Sequence, residues 1–292
     1  MPRIAIIGLG LIGGSIGLAL KRANLSGVEI AGVARSSDTA SRARRAGAID
    51  LPARSAADAA RGAGLVIVAS PILTIAGVFE EIAPSLDPGA VVTDAASTKA
   101  LVAQWAKEKL PAHAHFVGGH PMAGKEHQGI DAADADLFKG KPWVIAPDVD
   151  APEAAVNTVI GLVQATGANP VFMDPQEHDS YVAAVSHLPL TVAAALFSVT
   201  VDSAAWPELA ALASSGFRDT TRLASGSAEM AHDIVQTNRE NLLHWIDRFH
   251  GELGRFRDVI AKGDSKEIAA AFGRAQLERD NYMVNGPPRR ES

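Results

Sequence analysis

Cysteine is absent from the 292 residues. That excludes disulfides and thiolate chemistry, and it accords with a reducing compartment. Aromatic side chains make up only 5 % of the chain while alanine is abundant, so the helices have to pack through small residues. Charge of one sign is concentrated nowhere. The 27 Lys and Arg face 33 Asp and Glu, for a formal net charge of −6, and no basic block marks a nucleic-acid surface. No uninterrupted apolar run reaches the ~20 residues of a membrane span. The densest stretch, Tyr181 to Val201, is broken by Ser186, His187 and Pro189. The N-terminal residues lack the basic n-region of a signal peptide. A soluble, cytoplasmic protein with no membrane or nucleic-acid partner is expected.

What is present begins at the N-terminus. Arg3 to Ile7 is a short β-branched apolar run, which reads as a buried strand. It leads into Gly8-Leu9-Gly10-Leu11-Ile12-Gly13-Gly14-Ser15, then a helical pattern, then a second strand over Val28 to Val33. Strand, glycine turn, helix and strand in that order form a dinucleotide-binding unit. Gly8 permits the turn, Gly10 lets a pyrophosphate approach the backbone, and Gly13 lets the helix pack against the strand. The first helical turn, with Leu11 and Ile12, then offers free N–H groups to the phosphates. NAD-binding units place an acid at the end of the second strand, where it accepts from the ribose hydroxyls. Here Arg35, Ser36 and Ser37 stand at that point. An arginine fork with two neutral donors suits a 2′-phosphate and favours NADP, with NAD as the alternative. Asp38 comes too late for the ribose and reads as the cap of the next helix.

Further apolar strands at Leu65 to Ala69, Ala90 to Thr93 and His115 to Val117 alternate with helices. This alternation predicts a mostly parallel, doubly wound Rossmann-like α/β sheet. Trp143 to Ala146 and Pro170 to Met173 add two more strands. Strand signals stop at Asp174, and helical periodicity follows to about Tyr282. The expected division is therefore residues 1–174 for the dinucleotide and 175–292 for an all-α substrate-binding and dimerisation domain. In such a sheet the strand ends face the ligand, so Ser70-Pro71, Asp94 to Ser97 and His120 should line one edge. His120 sits in a glycine-rich loop, where it could take a proton from a substrate hydroxyl near neutral pH. His113, His115 and His127 lack zinc spacing, and no metal is expected. Among the helices, Ser186-His187-Leu188-Pro189 interrupts the alanine background, and its proline calls for a kink or a helix end. Arg218 and Arg222, four apart, share a helix face and could clamp a carboxylate. An alternative for Arg218 is a pairing with nearby acids.

These stretches, with Thr93 to Lys99, Gly119 to Gly124 and Ser215 to Arg222, occur in an order that resembles the prephenate/arogenate dehydrogenases of tyrosine biosynthesis over nearly the whole chain. The resemblance implies oxidative decarboxylation of a cyclohexadienol, arogenate or prephenate, to a phenol. It implies that His120 accepts the C4 hydroxyl proton, that Ser97 orients that hydroxyl, and that Arg222 holds a substrate carboxylate. It implies that His187 lines the pocket and that Glu126 stands at its entrance. It also implies a homodimer through the helical domain, with no fused regulatory domain or mutase. Many members using prephenate carry a second histidine after Ser-His-Leu-Pro. Leu190 stands there instead, which together with Arg35 looks like the NADP-dependent arogenate branch. The alternatives are an NAD-preferring prephenate dehydrogenase, a β-hydroxyacid dehydrogenase and a non-catalytic NADP-binding dimer. The β-hydroxyacid enzymes rely on a helical lysine, and this chain has no lysine from Pro175 to Ala261.

Overall fold

The strands are continuous apolar runs because both faces of the sheet are covered. Ile4 and Ile6 of β1 (Arg3–Ile7) point to one face, where Ile16, Leu20, Val159 and Leu162 pack. Ala5 and Ile7 point to the other, onto Ile75, Phe79 and Val102. The same alternation divides β4 (Leu65–Val68), with Leu65 and Ile67 on the first face and Val66 and Val68 on the second. The computed structural model describes residues 3–125 and 127–286.

The remaining strands are β2 (Glu29–Val33), β3 (Leu51–Pro52), β5 (Val91–Asp94), β6 (His115–Pro121), β7 (Pro142–Pro147) and β8 (Asn169–Phe172). They form one eight-stranded sheet in the order β3-β2-β1-β4-β5-β6-β7-β8. All neighbours are parallel except β6 and β7. The strand order reverses between β1 and β4, which is where a doubly wound sheet opens its ligand crevice. One face carries α1 (Leu11–Arg22) and α6 (Glu153–Ala165), with α2 (Ser37–Arg45) beside them. The other carries α3 (Ala56–Ala60), α4 (Ile75–Ile82) and α5 (Ala100–Lys109).

The helical part starts at a built cap: Asp174 accepts from the N–H groups of Gln176 and Glu177 at 2.8 and 3.1 Å, and Pro175 takes the first position of α7 (Pro175–Val182). Pro189 neither ends the helix nor stands alone in it. A π turn over Ala183–His187 precedes α8 (Leu188–Val201), and Pro189 falls in the first turn of α8, where its missing N–H costs little. Helical path thus runs without a break from Pro175 to Val201, 27 residues, long and apolar enough by length and composition to cross a membrane. The polar residues that break the apolar run in sequence do not break the helix. Its first turns, however, carry the buried His178 and Asp179, which bond to the strand-end region of the sheet.

Next come α9 (Trp206–Leu212), α10 (Ser215–Thr221) and α11 (Ala228–Thr237). The rings of Phe197, Trp206 and Phe217 meet in edge-to-face and tilted contacts at 5.7 to 6.3 Å between centroids and tie α10 to α8 and α9. The described residues up to Leu242 form one compact unit and those from Leu243 a second. The second consists of most of α12 (Arg239–Lys262) and α13 (Ser265–Asn285), joined by an edge-to-face contact of Phe256 and Phe272 at 5.2 Å. It exposes Leu253, Ile260, Leu277 and Met283.

Candidate active site

The glycine turn is built as its residue types require. Gly8 has φ +99°, and a Cβ there would sit 2.5 Å from the carbonyl oxygen of Ala69. At Gly13 an added Cβ would collide with the carbonyl of Gly8, so α1 lies directly on the turn. Gly10 differs, since a Cβ there would meet nothing within 4 Å. Its bareness faces open space. Gly10 is the N-cap of α1, no acid stands in the first turn, and its leading N–H groups have no partner within the helix. An open glycine beside a positive helix end at the switch point fits a dinucleotide pyrophosphate.

At the end of β2, Arg35 is 84 % exposed on its side chain and lies 3.8 Å from Glu229 of α11. Ser36, not Asp38, caps α2. Its Oγ accepts from the N–H of Thr39 at 3.1 Å because Ser36 has the extended backbone of an N-cap, whereas Asp38 is already inside the helix. Ser37 is the first helical residue. Ser70 accepts from the Thr74 hydroxyl at 2.9 Å, and the loop after Pro71 is held by Asp233 of α11, which accepts from Leu73 N–H at 3.2 Å.

β4, β5 and β6 are parallel neighbours, so their carboxyl ends share one edge. Asp94 is fully buried at the end of β5, paired with the equally buried Lys99. Its two oxygens also accept from Ala96 N–H and Gly119 N–H, both at 3.0 Å. Asp94 thus shapes the loop carrying Ser97 and anchors β6, rather than facing outward. Burial lowers the Lys99 pKa against the pull of Asp94 and Asp179. His120 does not lie in a loop. Antiparallel pairing with β7 extends β6 to Pro121 and sets His120 opposite Val144, so its backbone is held on both sides. Gly119 is needed there, because a Cβ would stand 2.6 Å from the Asp94 carbonyl oxygen.

His120 is at the head of a buried chain of hydrogen bonds. Its Nδ1 lies 2.9 Å from Nε2 of His178, and Nδ1 of His178 lies 2.8 Å from Oδ1 of Asp179. Asp179 also accepts from the backbone N–H groups of Lys99 and Ala100 at 2.7 and 2.9 Å, at the start of α5. A carboxylate only accepts, so His178 presents its proton to Asp179 at Nδ1 and an acceptor nitrogen to His120. His120 then carries its proton on Nδ1, and its Nε2 is the bare nitrogen. Burial, reinforced by His178, Lys99 and His187, holds the His120 pKa well below the ordinary histidine value, so it stands neutral and able to accept a proton.

His187, also buried, is bonded at Nδ1 by the amide of Asn238, 3.2 Å away. The same amide nitrogen donates to the carbonyl of Asp179 at 2.7 Å, and Asn238 Oδ1 accepts from Asn241. Asn238 therefore cannot turn over without losing both bonds. His187 carries its proton on Nε2, a buried donor with no protein partner. Arg218 lies within α10, and Arg222 is its C-cap, with helical backbone, leading into a short 3₁₀ turn. Glu126 lies outside the described residues. His178, Asp179 and Asn238 drew no notice in the sequence. An adjacent His-Asp pair near a helix start carries no local mark of burial, and only the packing of α7 on α5 reveals it.

A pH consequence follows from these buried rings. His187 is lowered to about 4, chiefly by burial. Between the unfolded value of about 6.5 and that folded value, the unfolded chain binds a proton that the fold refuses. The loss begins as pH falls through 6.5, amounts to about 1.4 kcal/mol per pH unit for such a histidine, and is complete near 4. Stability should thus drop between pH 6.5 and 4.5, and His187→Gln should flatten that dependence. Denaturant midpoints measured across the range check this; an unaltered slope in the variant refutes it.

A Rossmann-like sheet with an open glycine turn at its switch point and a buried histidine at its strand ends has the plan of a nicotinamide-dinucleotide oxidoreductase. Residues 16–172 match the family model described as prephenate dehydrogenase, nucleotide-binding domain, and residues 174–274 match prephenate dehydrogenase, dimerization domain. A prephenate dehydrogenase of Bacillus subtilis is 37 % identical over 283 residues, covering 96 % of this chain and 76 % of that protein. Among solved structures, the arogenate dehydrogenase of Synechocystis superposes with a TM-score of 0.81 at 30 % identity, covering 96 % of this chain and 99 % of the other. A prephenate dehydrogenase from A. aeolicus in complex with hydroxyphenyl propionate and NAD+ does so with a TM-score of 0.89 at 28 % identity, covering 96 % and 98 %. The chain belongs to the prephenate dehydrogenase family, and it is an oxidoreductase of tyrosine biosynthesis acting on a small cyclohexadienol with a nicotinamide dinucleotide.

Proposed function

We propose that the protein oxidatively decarboxylates arogenate in preference to prephenate, with NADP in preference to NAD, as a cytoplasmic homodimer. The observation that carries the catalytic reading is His120, neutral and buried at the end of β6, with its bare Nε2 set by the chain behind it. Nε2 takes the proton of the C4 hydroxyl, and the O–H electron pair becomes the second bond of a C4 carbonyl. When bound, the nicotinamide accepts the hydride that leaves C4. The bond from the ring to its carboxylate then breaks. Its electron pair enters the ring and closes the aromatic system, leaving a phenolate that recovers the proton from His120. Aromatisation supplies the driving force, so the residues need only orient the reacting groups. Ser97, in the loop shaped by Asp94, orients the hydroxyl. Arg222 holds the ring carboxylate, with Arg218 in the same helix. Being neutral, His187 offers one N–H and no charge. Gly8, Gly10, Leu11, Ile12 and Gly13 would hold the pyrophosphate and Ser70 and Pro71 the nicotinamide half, while Asp94, turned inward, fixes the loop and strand beside them. Arg35, Ser36 and Ser37 receive the 2′-phosphate. Residues 1–174 hold the cofactor, and 175–292 hold the substrate and the second subunit, through the apolar surface of α12 and α13.

A second reading, NAD use, is favoured by Glu229, whose carboxylate lies toward Arg35 and opposes a phosphate there.

Substrate choice rests on Leu190. It stands three residues after His187, on the same side of the helical run. Arogenate bears an ammonium beside its side-chain carboxylate, and prephenate bears a ketone. A histidine at 190 would donate to the ketone; leucine cannot, whereas backbone carbonyls serve the ammonium. The expected kcat/KM ratio favours arogenate, and Leu190→His should move it toward prephenate by roughly tenfold, one hydrogen bond's worth. Steady-state rates with both substrates and both cofactors decide this. A native enzyme that prefers prephenate overturns the reading of Leu190.

A further inference from the structure

We infer that His178 and Asp179 are a positioning pair that sets the tautomer of His120 and gives its proton a second seat; the inference rests on His120 being the base. Three observations carry it. The first is directionality. Asp179 receives four hydrogens' worth of direction at once: two backbone N–H groups of α5, the His178 ring, and, through its own backbone carbonyl, the Asn238 amide. Its carboxylate cannot rotate without breaking bonds of 2.7 to 2.9 Å. His178 is thereby fixed with its proton on Nδ1, and His120 can only donate toward it. The second is burial. His178 and Asp179 are 1 % and 2 % exposed, so water offers His120 Nδ1 no substitute partner. The third is charge. Among the described residues, Lys99 and His187 oppose a positive charge on His120, Asp94 is already paired to Lys99, and the carboxylate that the ring's hydrogen bonds lead to is Asp179, through His178. A positive charge created on His120 is poorly received where it forms.

The proton movement balances. The substrate O–H bond breaks and His120 Nε2–H forms. His120 Nδ1–H breaks and His178 Nε2–H forms. The result is a neutral His120 and a His178 cation 2.8 Å from a carboxylate oxygen. Both steps reverse when the phenolate is reprotonated. A buried charge next to its counter-ion replaces one without, and the strand that carries His120 does not move.

Nitrogen-resolved NMR of the imidazoles in the intact native enzyme tests the premise directly. The expected state is Nδ1–H on both His120 and His178. An Nε2–H tautomer on His120 overturns the inference whatever the variants do. In Asp179→Asn, kcat should fall ten- to thousandfold, with the KM for the cyclohexadienol and the Kd for NADP changed only a few-fold. His178→Gln, whose amide oxygen can replace Nε2 as the acceptor, should retain at least tenfold more turnover than His178→Leu. Equal losses in these two, with equal melting temperatures, would mean a packing role only and would refute the proposal. If His120→Asn is crippled while Asp179→Asn and His178→Leu turn over normally, the pair is idle and the base reading survives. If His120→Asn itself turns over normally, the base reading falls and takes this inference with it.

Discussion

Asparagine in place of His120 is expected to lower kcat by roughly two to four decades, the usual range for loss of a general base. Asparagine is smaller and nearly isosteric with the Nδ1 half of the ring, so it can still donate toward His178 and leave the buried chain intact. What it lacks is a nitrogen at the Nε2 position with an unshared electron pair of adequate basicity. The loss should therefore fall on turnover alone. Binding of NADP, measured by fluorescence or calorimetry, should stay within a few-fold of native, because the glycine turn proposed to hold the phosphates joins β1 to α1, while His120 is on β6. Near-normal turnover would remove His120 from the chemistry. An equal collapse of cofactor affinity would mean that β6 had shifted.

The second large effect is expected at Arg35. Arg35→Ala should weaken NADP by about ten- to a hundredfold, the worth of a charge-assisted contact of roughly 1.5–3 kcal/mol, and should leave NAD almost untouched. The end of β2 has no acid to receive the ribose hydroxyls, and the guanidinium is mostly in solvent, free to close on a phosphate. The capping role of Ser36 works in the same direction. Its Oγ accepts from Thr39 N–H and also lies 2.9 Å from the Thr39 hydroxyl, so the hydroxyl pair can turn one proton toward an anion. The comparison of KM for both cofactors in native and variant enzymes checks this, and equal native values would refute it.

The sheet was readable from local sequence because a strand buried on both faces is written as an unbroken apolar run, as in Leu65 to Val68. The glycine turn was readable because its requirements are steric and lie within a few residues. The extension of β6 was not. Gly118 and Gly119 look like a turn, and only the antiparallel partner β7, some twenty-five residues on, makes them strand. Nor could the sequence show that Asp94 turns inward to Lys99, since a polar residue at a strand end points outward as often as in. The partners of His120 were hidden for the same reason. His178 and Asp179 come from helix α7, 58 and 59 positions later, and hydrogen bonds of that span leave no periodicity behind. Of the two outcomes Pro189 allows, a helix end does not occur, because a π turn precedes the proline and carries the helix through it, and a π turn has no strong sequence mark.

That π turn has a consequence in the counting of residues. Asp179 and His187 are eight positions apart, which on a straight α-helix would turn them roughly 80° from one another. The turn absorbs one residue, so the two behave as if seven apart, within about 20° of the same line. This is how a single Asn238 amide reaches the carbonyl of one and the ring of the other. The segment from 183 to 187 is thus a spacer of fixed length, and its composition matters less than its number. Ordinary α-helix over the same residues would leave every later side chain chemically unchanged and swing it by about 100°.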